Sequence, residues 1–334
     1  MKVLVLGGTG QISRGIVRRL LEMKAQVTLF NRGNHPERVP PGVEVMVGDR
    51  DRLPEMGDRI RAGRFDAAVD MVCFRPEQAR QAVDALGGSV GHYVFCSTVC
   101  TYGTYFPGRS GLKIREDDPQ EPVSGYGRDK LECEKVFFGA HRAGRMKVTV
   151  FRPSCTYGPG GNLIDNLGWD SPAWDRMERG LPVLCADSGQ GLWQACHADD
   201  AGVAFARALG RPACFGKAYN LVHDGVMTWN EYYGRVAAGL GTRARIVYLG
   251  ADEIIARDPA RFSGLAEIFR FHGAYDNAAL KRDVPEFRQE VPLERGSRGL
   301  IEDMKQRGIF RKSEDDPLYA SLVEKALEAG KPTS

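Results

Sequence analysis

A tyrosine and a lysine stand four residues apart in the stretch SGYGRDK, residues 124–130. The stretch opens a predicted helix, and residues four apart lie on the same face of a helix. Tyr126 and Lys130 are therefore expected to be neighbours. Because a nearby ammonium group lowers the pKa of a phenol, this spacing indicates a tyrosine that exchanges protons with a substrate near neutral pH.

A second reactive group lies in CSTVCTYG, residues 96–103, directly after the apolar run HYVF. Here Ser97, Thr98 and Cys100 follow the end of a predicted buried strand, where side chains reach the edge of a sheet. The Cys100 thiol could carry a proton to or from a substrate if its pKa allows it. Alternatively, Cys100 is a small buried residue that packs behind the strand, which cysteine does well.

The segment GGTGQIS, residues 7–13, joins the first predicted strand to the first predicted helix. Glycines at such a junction let the backbone approach a pyrophosphate, and the helix N-terminus offers unpaired N–H groups to it. A tight turn without a ligand is the alternative, but the flanking strand and helix favour dinucleotide binding. The expected contacts are Gly7, Thr9, Gly10, Gln11 and Ile12.

The second predicted strand ends at Asn31 and Arg32. An acidic residue at this point would bind the ribose 2′-OH of NAD, whereas an arginine can accommodate the 2′-phosphate of NADP. Asn31 can still bond a 2′-OH and Arg32 can stack on adenine, so NAD is the expected cofactor and NADP remains possible. Asp49 either meets the adenine edge or is an ordinary turn residue. Further cofactor contacts are expected at Arg50, Cys73 and Pro153.

Short apolar segments alternate with amphipathic ones through the first half of the chain. Strands are predicted at residues 2–7, 26–33, 43–49, 67–74, 92–98 and 146–154, and helices at 12–25, 76–88 and 124–144. Apolar strands without alternation, separated by helices, predict a parallel sheet covered on both faces. The expected fold is an α/β doubly wound (Rossmann) sheet with a smaller C-terminal α/β region that binds the substrate.

The amino-acid composition changes after about residue 155, where Gly, Pro, Trp and Asp become frequent. We therefore expect a dinucleotide-binding domain over residues 1–155, to which 196–222 return. Residues 156–195 and 223–310 are expected to form the substrate-binding region. The charged tail, 311–334, is either a docked helix or partly loose.

Composition excludes several classes of function. A formal net charge of +3 and the lack of any Lys/Arg-rich block argue against nucleic-acid binding. The eight cysteines form no CxxC pair and the six histidines no HxxxH pair, so no metal site is expected. No apolar run approaches the roughly 18 residues of a membrane span, and no leader is evident. The expected location is the cytoplasm, with free thiols.

In its motifs the chain resembles the extended short-chain dehydrogenase/reductases, specifically the NAD-dependent epimerase/dehydratase family acting on sugar nucleotides. Five motifs carry the resemblance, in order, over about residues 1–305: GGTGQIS, STVCTYG, YGRDK, FRPSCTYGPG and HADD. The resemblance implies Tyr126 as acid/base and Lys130 as the residue that tunes its pKa and binds ribose. Counting back from the Tyr-Gly of STVCTYG, the Ser/Thr that contacts the reacting oxygen falls on Thr98, not Ser97.

The same resemblance bears on Cys100. In GDP-mannose 3,5-epimerases and GDP-fucose synthases of this superfamily, a cysteine two residues before the tyrosine acts as an acid/base, and Cys100 stands there relative to Tyr102. Those families place a His or Lys after Tyr-Gly-Pro as the second proton carrier. Residues 159–175 contain neither, so that carrier is not assigned. Dehydration is disfavoured, because Val99 and Cys100 follow Thr98 where the dehydratases carry Asp-Glu.

Substrate contacts are expected from Thr98, Cys100, Asn162, Trp169, Trp193 and Arg270. Many relatives have an arginine for the sugar-nucleotide diphosphate four residues before the His of HxDD, where this chain has Trp193. Arg270 could substitute for it, or the substrate could lack the diphosphate. Trp169 either lines the substrate cavity or merely packs there.

These observations predict an NAD-dependent epimerase that oxidises a secondary alcohol transiently and returns the hydride after inversion. The substrate would be a nucleotide-linked sugar or a nucleoside-type molecule. An NADPH-dependent ketone reductase is the first alternative, and a redox-sensing or RNA-associated binding protein of the same fold is the second. The resemblance also implies a homodimer, paired through the helices at 76–86 and from Tyr126.

Overall fold

The computed structural model describes residues 1–104 and 113–330. Its strands are β1 (Lys2–Leu6), β2 (Gln26–Asn31), β3 (Glu44–Val47), β4 (Ala67–Asp70), β5 (His92–Cys96), β6 (Val148–Pro153), β7 (Cys155–Tyr157), β8 (Val183–Ala186), β9 (Leu192–Trp193), β10 (Ala195–His197), β11 (Lys217–Leu221), β12 (Met227–Thr228) and β13 (Ile246–Leu249). Its α-helices are α1 (Gln11–Glu22), α2 (Gly57–Ala62), α3 (Pro76–Leu86), α4 (Gly125–Arg142), α5 (Ala173–Glu178), α6 (Ala198–Ala208), α7 (Trp229–Gly239), α8 (Ala251–Arg257), α9 (Ala278–Asp283), α10 (Leu293–Gln306) and α11 (Pro317–Ala329). A single π-helical turn covers Leu265–Phe269.

Seven parallel strands form the central sheet in the order β11-β6-β5-β4-β1-β2-β3. Every residue of β1 from Val3 to Leu6 is fully buried, because helices cover both faces of the sheet. The chain reverses its direction of travel across the sheet between β1 and β4, whose residues Leu6 and Asp70 lie side by side. A ligand crevice is expected outside the carboxyl ends of the strands at such a point. The predicted doubly wound parallel fold is confirmed.

Two helices distant in sequence share one face of the sheet. Helices α1 and α6 touch backbone to backbone, since a Cβ on Gly15 would lie 2.3 Å from the carbonyl oxygen of Ala198. A Cβ on Gly202 would lie 2.5 Å from the carbonyl carbon of Gly15. Residues 195–221 thus contribute a covering helix and the edge strand β11 to the first half of the chain. Helices α3 and α4 cover the opposite face.

The remaining elements form a second hydrophobic cluster around large aromatic side chains, including Trp174, Trp229 and Tyr233. Helix α11 belongs to this cluster, because its Tyr319 and Leu322 are buried there. The tail is therefore a docked helix as far as residue 329. Residues 331–334 lie outside the described part of the chain.

One predicted strand is shorter than its apolar run. The run 67–74 predicts a strand of that length, but β4 ends at Asp70. There the Asp70 carboxylate accepts hydrogen bonds from the Arg50 guanidinium, at 2.8 Å, and from the backbone N–H of Val72, at 3.0 Å. The second bond turns the chain out of the sheet, which apolar patterning alone does not reveal.

All eight cysteines are free thiols. Among residues 1–104 and 113–330, no group of three or more His, Cys, Asp or Glu side chains is arranged to hold a metal ion. Over the same residues, no helix combines the length and the apolar character needed to cross a bilayer.

Candidate active site

The reactive residues singled out above meet in a cavity of about 270 Å³ at the carboxyl edge of the sheet. Thr98, Cys100 and Tyr126 line one side of this cavity, and Gln11, from the start of α1, also lines it. We call it the substrate cavity. Strand β5 and helix α4 bring the hydroxyl, the thiol and the phenol together from segments some 25 residues apart.

The hydroxyl of Thr98, rather than that of Ser97, faces the substrate cavity. Thr98 caps a short 3₁₀ helix, and its Oγ1 accepts the backbone N–H of Cys100 at 3.1 Å. Ser97 is buried and donates its hydroxyl to Oε1 of Glu134 at 2.5 Å. Successive residues of an extended chain point to opposite sides, so only one of the two can reach the cavity.

Lys130 lies behind Tyr126, one helical turn along α4. Its ammonium group is almost fully buried and donates to the backbone carbonyls of Cys73, at 2.7 Å, and Cys96, at 2.8 Å. The Nζ atom is 5.8 Å from the centre of the Tyr126 ring. These bonds fix the lysine between the ends of β4 and β5, next to the crevice.

The pKa of Tyr126 is raised, opposite to the direction that the Tyr–Lys spacing predicts. The side chain is 46% exposed, but the protein around the phenol displaces water from it, and this is the largest cause of the raised pKa. The nearby Cys96 and Cys100 add to it, and a hydrogen bond with Thr98 lowers the pKa. Because Lys130 is directed at two carbonyl groups, its charge does not outweigh the loss of water around the phenol. Tyr126 therefore holds its proton in this geometry.

The thiol of Cys100 is also protonated near neutral pH. Burial raises its pKa, and a hydrogen bond with the Thr98 side chain lowers it by less. A thiol in this state can donate a proton, but it is a poor base. Cys100 lines the substrate cavity, so its side chain is next to the space that a substrate could occupy.

The glycine turn supports a second cavity, of about 340 Å³, which we call the cofactor cavity. Gly7 and Gly8 adopt φ angles of +104° and +98°, which favour glycine, and a Cβ on Gly8 would lie 2.6 Å from Leu29. Gly7 and Thr9 line the cavity, and Gly10 precedes the first turn of α1. The turn therefore leaves its backbone open to a ligand, as pyrophosphate binding requires.

The ends of β2 and β3 close the other side of the cofactor cavity. The Asn31 side chain donates to the carbonyl oxygen of Gly7 at 3.1 Å and accepts the N–H of Gly33 at 2.8 Å. Arg32 is exposed at the rim. Asp49 lines the cavity and also accepts the N–H of Asp51 at 2.9 Å, so it has the role of a turn residue whether or not it meets adenine.

Arg50 supplies an unsatisfied donor in the wall of the cofactor cavity. Its guanidinium donates to Asp70 at 2.8 Å and to the carbonyl oxygen of Gln78 at 2.9 Å. Its Nη1 atom is buried without a hydrogen-bond partner in the part of the chain that the structure describes. A buried donor of this kind fits an acceptor-rich ligand such as a dinucleotide.

Residues 3–221 match the model of the NAD-dependent epimerase/dehydratase family. The chain belongs to this family. NAD is accordingly its cofactor.

Two curated relatives cover most of the chain. The 2′-dehydrokanamycin reductase of Streptomyces kanamyceticus is 29% identical over 290 residues, which is 86% of this chain and 80% of the relative. The chloroplast stem-loop binding protein of 41 kDa b of Arabidopsis thaliana is 25% identical, over 98% of this chain and 85% of the relative.

The fold itself is shared with solved structures. The UDP-glucose 4-epimerase of Thermotoga maritima superposes with a TM-score of 0.69 at 19% identity, over 92% of this chain and 99% of that chain. The UDP-glucuronic acid 4-epimerase of Bacillus cereus gives a TM-score of 0.71 at 16% identity, over 93% and 100%.

Five residues expected to contact the cofactor line neither cavity of this family member: Gly10, Ile12, Cys73, Lys130 and Pro153. The Cys73 side chain is buried with its sulfur 3.9 Å from that of Cys133, and its carbonyl oxygen accepts a hydrogen bond from Lys130. Pro153 is part of β6, and the next residues, Ser154 and Cys155, line the substrate cavity instead.

Of the expected substrate contacts, Asn162, Trp169 and Trp193 line the substrate cavity. Arg270 does not, because its guanidinium pairs with the carboxylate of Asp252 at 2.8 Å. Sequence reasoning missed Phe269, Phe271, His272 and Tyr275, which complete the wall. Phe269 ends the π-helical turn and the other three follow it, and no local sequence pattern connects that segment with β5 or α4.

Proposed function

We propose that this protein is an NAD-dependent epimerase that inverts a hydroxyl-bearing carbon of a ring-shaped substrate through a transient ketone. One observation carries the proposal. Thr98, Tyr126 and Cys100 line a single cavity beside the glycine turn. Hydride transfer at an alcohol requires only Thr98 and Tyr126. The Cys100 thiol therefore adds a proton carrier for the carbon next to the ketone.

Each residue has a role that follows from its position. Thr98 and Tyr126 bind the substrate oxygen. Once its pKa is lowered, Tyr126 as phenolate takes the hydroxyl proton while the alcohol is oxidised, and returns a proton to the same oxygen when the ketone is reduced. Lys130 holds the ends of β4 and β5 in place behind the phenol. When bound, NAD supplies the hydride acceptor and a positively charged ring that lowers the pKa of a nearby phenol.

Cys100 would act as an acid rather than a base in the resting enzyme. Its raised pKa keeps the thiol protonated, so it can deliver a proton to the carbon beside the ketone. Delivery to the face opposite the one that lost a proton inverts that carbon. The group that removes the first proton is not assigned among the described residues.

The test uses the NAD-loaded enzyme in D₂O with a panel of sugar nucleotides and glycosides. We expect a stereoisomer of one member to form without a steady change of absorbance at 340 nm, and deuterium to enter the product. Cys100→Ser should abolish the deuterium uptake, with Cys185→Ser, a buried thiol outside the cavity, as the control. A steady absorbance change, or an isomerisation that Tyr126→Phe does not slow, would contradict the proposal.

An NADPH-dependent ketone reductase is the second candidate, because β2 ends in Asn31 and Arg32 instead of an acidic residue. An arginine at the rim of the cofactor cavity can accommodate a 2′-phosphate. The relative from S. kanamyceticus is named a reductase, which supports this candidate. Steady oxidation of added NADPH by a keto substrate, with little activity on NADH, would establish it in place of the epimerase.

A further inference from the structure

The described walls of the substrate cavity are rich in aromatic side chains. No Lys, Arg, Asp or Glu is among the described residues that line it. The indoles of Trp169 and Trp193 and the rings of Phe269, Phe271 and Tyr275 line the same cavity as Thr98. Flat apolar surfaces of this kind pack against the C–H face of a sugar ring.

Three cations in or beside the segments that form this wall are engaged by other groups. Arg270 pairs with Asp252, and Arg261 pairs with Asp316, behind the segment that carries Trp169. Lys130 is bound to two carbonyl groups on the cofactor side. A diphosphate is bound most strongly by free guanidinium or ammonium groups, and its burial without them is unfavourable.

Trp193 lines the substrate cavity, and its indole N–H is a hydrogen-bond donor without a described acceptor. Its indole stacks on that of Trp229 with 4.3 Å between ring centres and meets the edge of Phe269. Its Nε1 atom is buried and has no hydrogen-bond partner within residues 1–104 and 113–330. Buried donors are nearly always satisfied in the functional state of a protein, so an acceptor from a ligand is the missing partner.

We infer that the substrate is a glycoside ring that carries no phosphate or nucleotide, packed on the aromatic wall, with a ring oxygen or hydroxyl accepting the Trp193 N–H. The cavity volume of about 270 Å³ lies just below the roughly 300–1,000 Å³ of typical ligand sites, which suits a single sugar unit. The inference rests on the proposed function, since the ring must present a carbinol to Tyr126.

The experiment compares matched pairs of substrates on the NAD-loaded enzyme. One panel contains UDP-glucose, UDP-galactose and dTDP-glucose, and the other contains methyl glucosides, methyl galactosides, disaccharides and the aminoglycoside kanamycin. We expect at least one member of the second panel to be turned over with kcat/KM more than tenfold above that of any sugar nucleotide. Product formation is measured by mass spectrometry and NMR, and cofactor redox change at 340 nm.

The outcomes separate the two proposals. Efficient turnover of a sugar nucleotide in preference to every glycoside overturns the inference and leaves the proposed reaction intact. Turnover of neither panel by enzyme that binds NAD overturns the proposed function, and the inference fails with it.

Trp193→Phe tests the indole donor directly, because phenylalanine keeps the aromatic surface and removes the N–H. For the preferred glycoside we expect KM to rise about tenfold, the size typical of one lost hydrogen bond, while kcat changes less than twofold. The control is Trp174→Phe, which removes a buried indole bonded to the Leu163 carbonyl, outside the cavity lining. It should lower Tm without changing KM. An unchanged KM in Trp193→Phe that folds normally would overturn the role of the donor.

Discussion

The cofactor cavity and the substrate cavity lie side by side but are built in different ways. The first is formed by strand ends and the glycine turn within residues 7–78, and its lining includes Arg32, Asp49, Arg50 and Asp51. The second is assembled from segments between residues 11 and 275, and its described lining is free of acidic and basic side chains. The cofactor side thus offers charge and backbone N–H groups, whereas the substrate side offers shape and a few hydroxyl groups.

The largest effect is expected for Tyr126→Phe, which should lower turnover without weakening the binding of NAD. Tyr126→Phe removes the proton carrier and should lower turnover about 10²- to 10⁴-fold. The affinity for NAD, measured by calorimetry, should change less than threefold, because the glycine turn and Arg50 are untouched. Equal losses of turnover and NAD affinity would contradict the division into two sides.

A buried ion pair joins the central sheet to helix α4. Arg152 of β6 pairs with Glu134 of α4 at 2.7 Å, and both side chains are buried. Breaking this pair with Arg152→Leu leaves an uncompensated buried carboxylate, so the free energy of unfolding should fall by about 3–5 kcal/mol. Urea unfolding measures it, with Arg145→Leu, which breaks an exposed pair with Asp84, as the control. A loss under 1 kcal/mol would show that the pair is dispensable.

The central sheet should lose stability on acidification through His92. Burial lowers the pKa of His92 to about 4 from its usual 6.5, and its ring bonds to Thr149 and to the N–H of Gly210. The unfolded chain protonates His92 more readily than the folded protein does. The contribution of neutral His92 to stability is therefore complete above pH 6.5. It should be lost as the pH falls towards 4, by about 3 kcal/mol. His92→Gln should remove that part of the pH dependence of unfolding.

Asp165 should make stability change with pH in the opposite direction. This residue of the substrate side is fully buried. Burial raises the pKa of Asp165 to about 6, although Ser171 and the N–H groups of Leu167 and Gly168 lower it. Its contribution to stability is complete below about pH 4. It should decline by about 3 kcal/mol as the pH rises through 6. The difference in unfolding free energy between the wild type and Asp165→Asn, followed from pH 4 to 7, should therefore change in the opposite sense to that for His92→Gln.

The smallest effect is expected at Arg270. Its ion pair with Asp252 is largely exposed, and such pairs contribute little to stability. Arg270→Ala should change the free energy of unfolding by less than about 0.5 kcal/mol and KM by less than twofold. A tenfold rise of KM would show that Arg270 binds the substrate and would weaken the case for a substrate without phosphate.

The two cavities also differ in how much of each could be predicted from the sequence. Local patterns are sufficient for the parallel sheet and the glycine turn, because each depends on a contiguous strand–turn–helix segment. The family resemblance selects Thr98 over Ser97; in the structure Thr98 lines the substrate cavity, whereas Ser97 is bonded to Glu134. The spacing of Tyr126 and Lys130 predicts their proximity, but it does not predict the raised pKa of Tyr126, which depends on tertiary burial.

The substrate wall could not be predicted in the same way. Phe269, Phe271 and Tyr275 line the cavity but are far in sequence from β5 and α4. They lie at or after the end of a π-helical turn that has no clear sequence signal. Arg270, in the same segment, is a plausible phosphate ligand by residue type. Only the position of Asp252 directs its guanidinium elsewhere.

The backbone contact between Gly15 and Gly202 has a consequence for biosynthesis. Helix α6 covers apolar residues of α1 and the sheet, and it leaves the ribosome nearly two hundred residues after the glycine turn. A nascent chain that stops before α6 exposes this surface and cannot yet form a stable nucleotide pocket. Cofactor capture should therefore be a late event during translation, and stalled chains shorter than about 210 residues are expected to need chaperones.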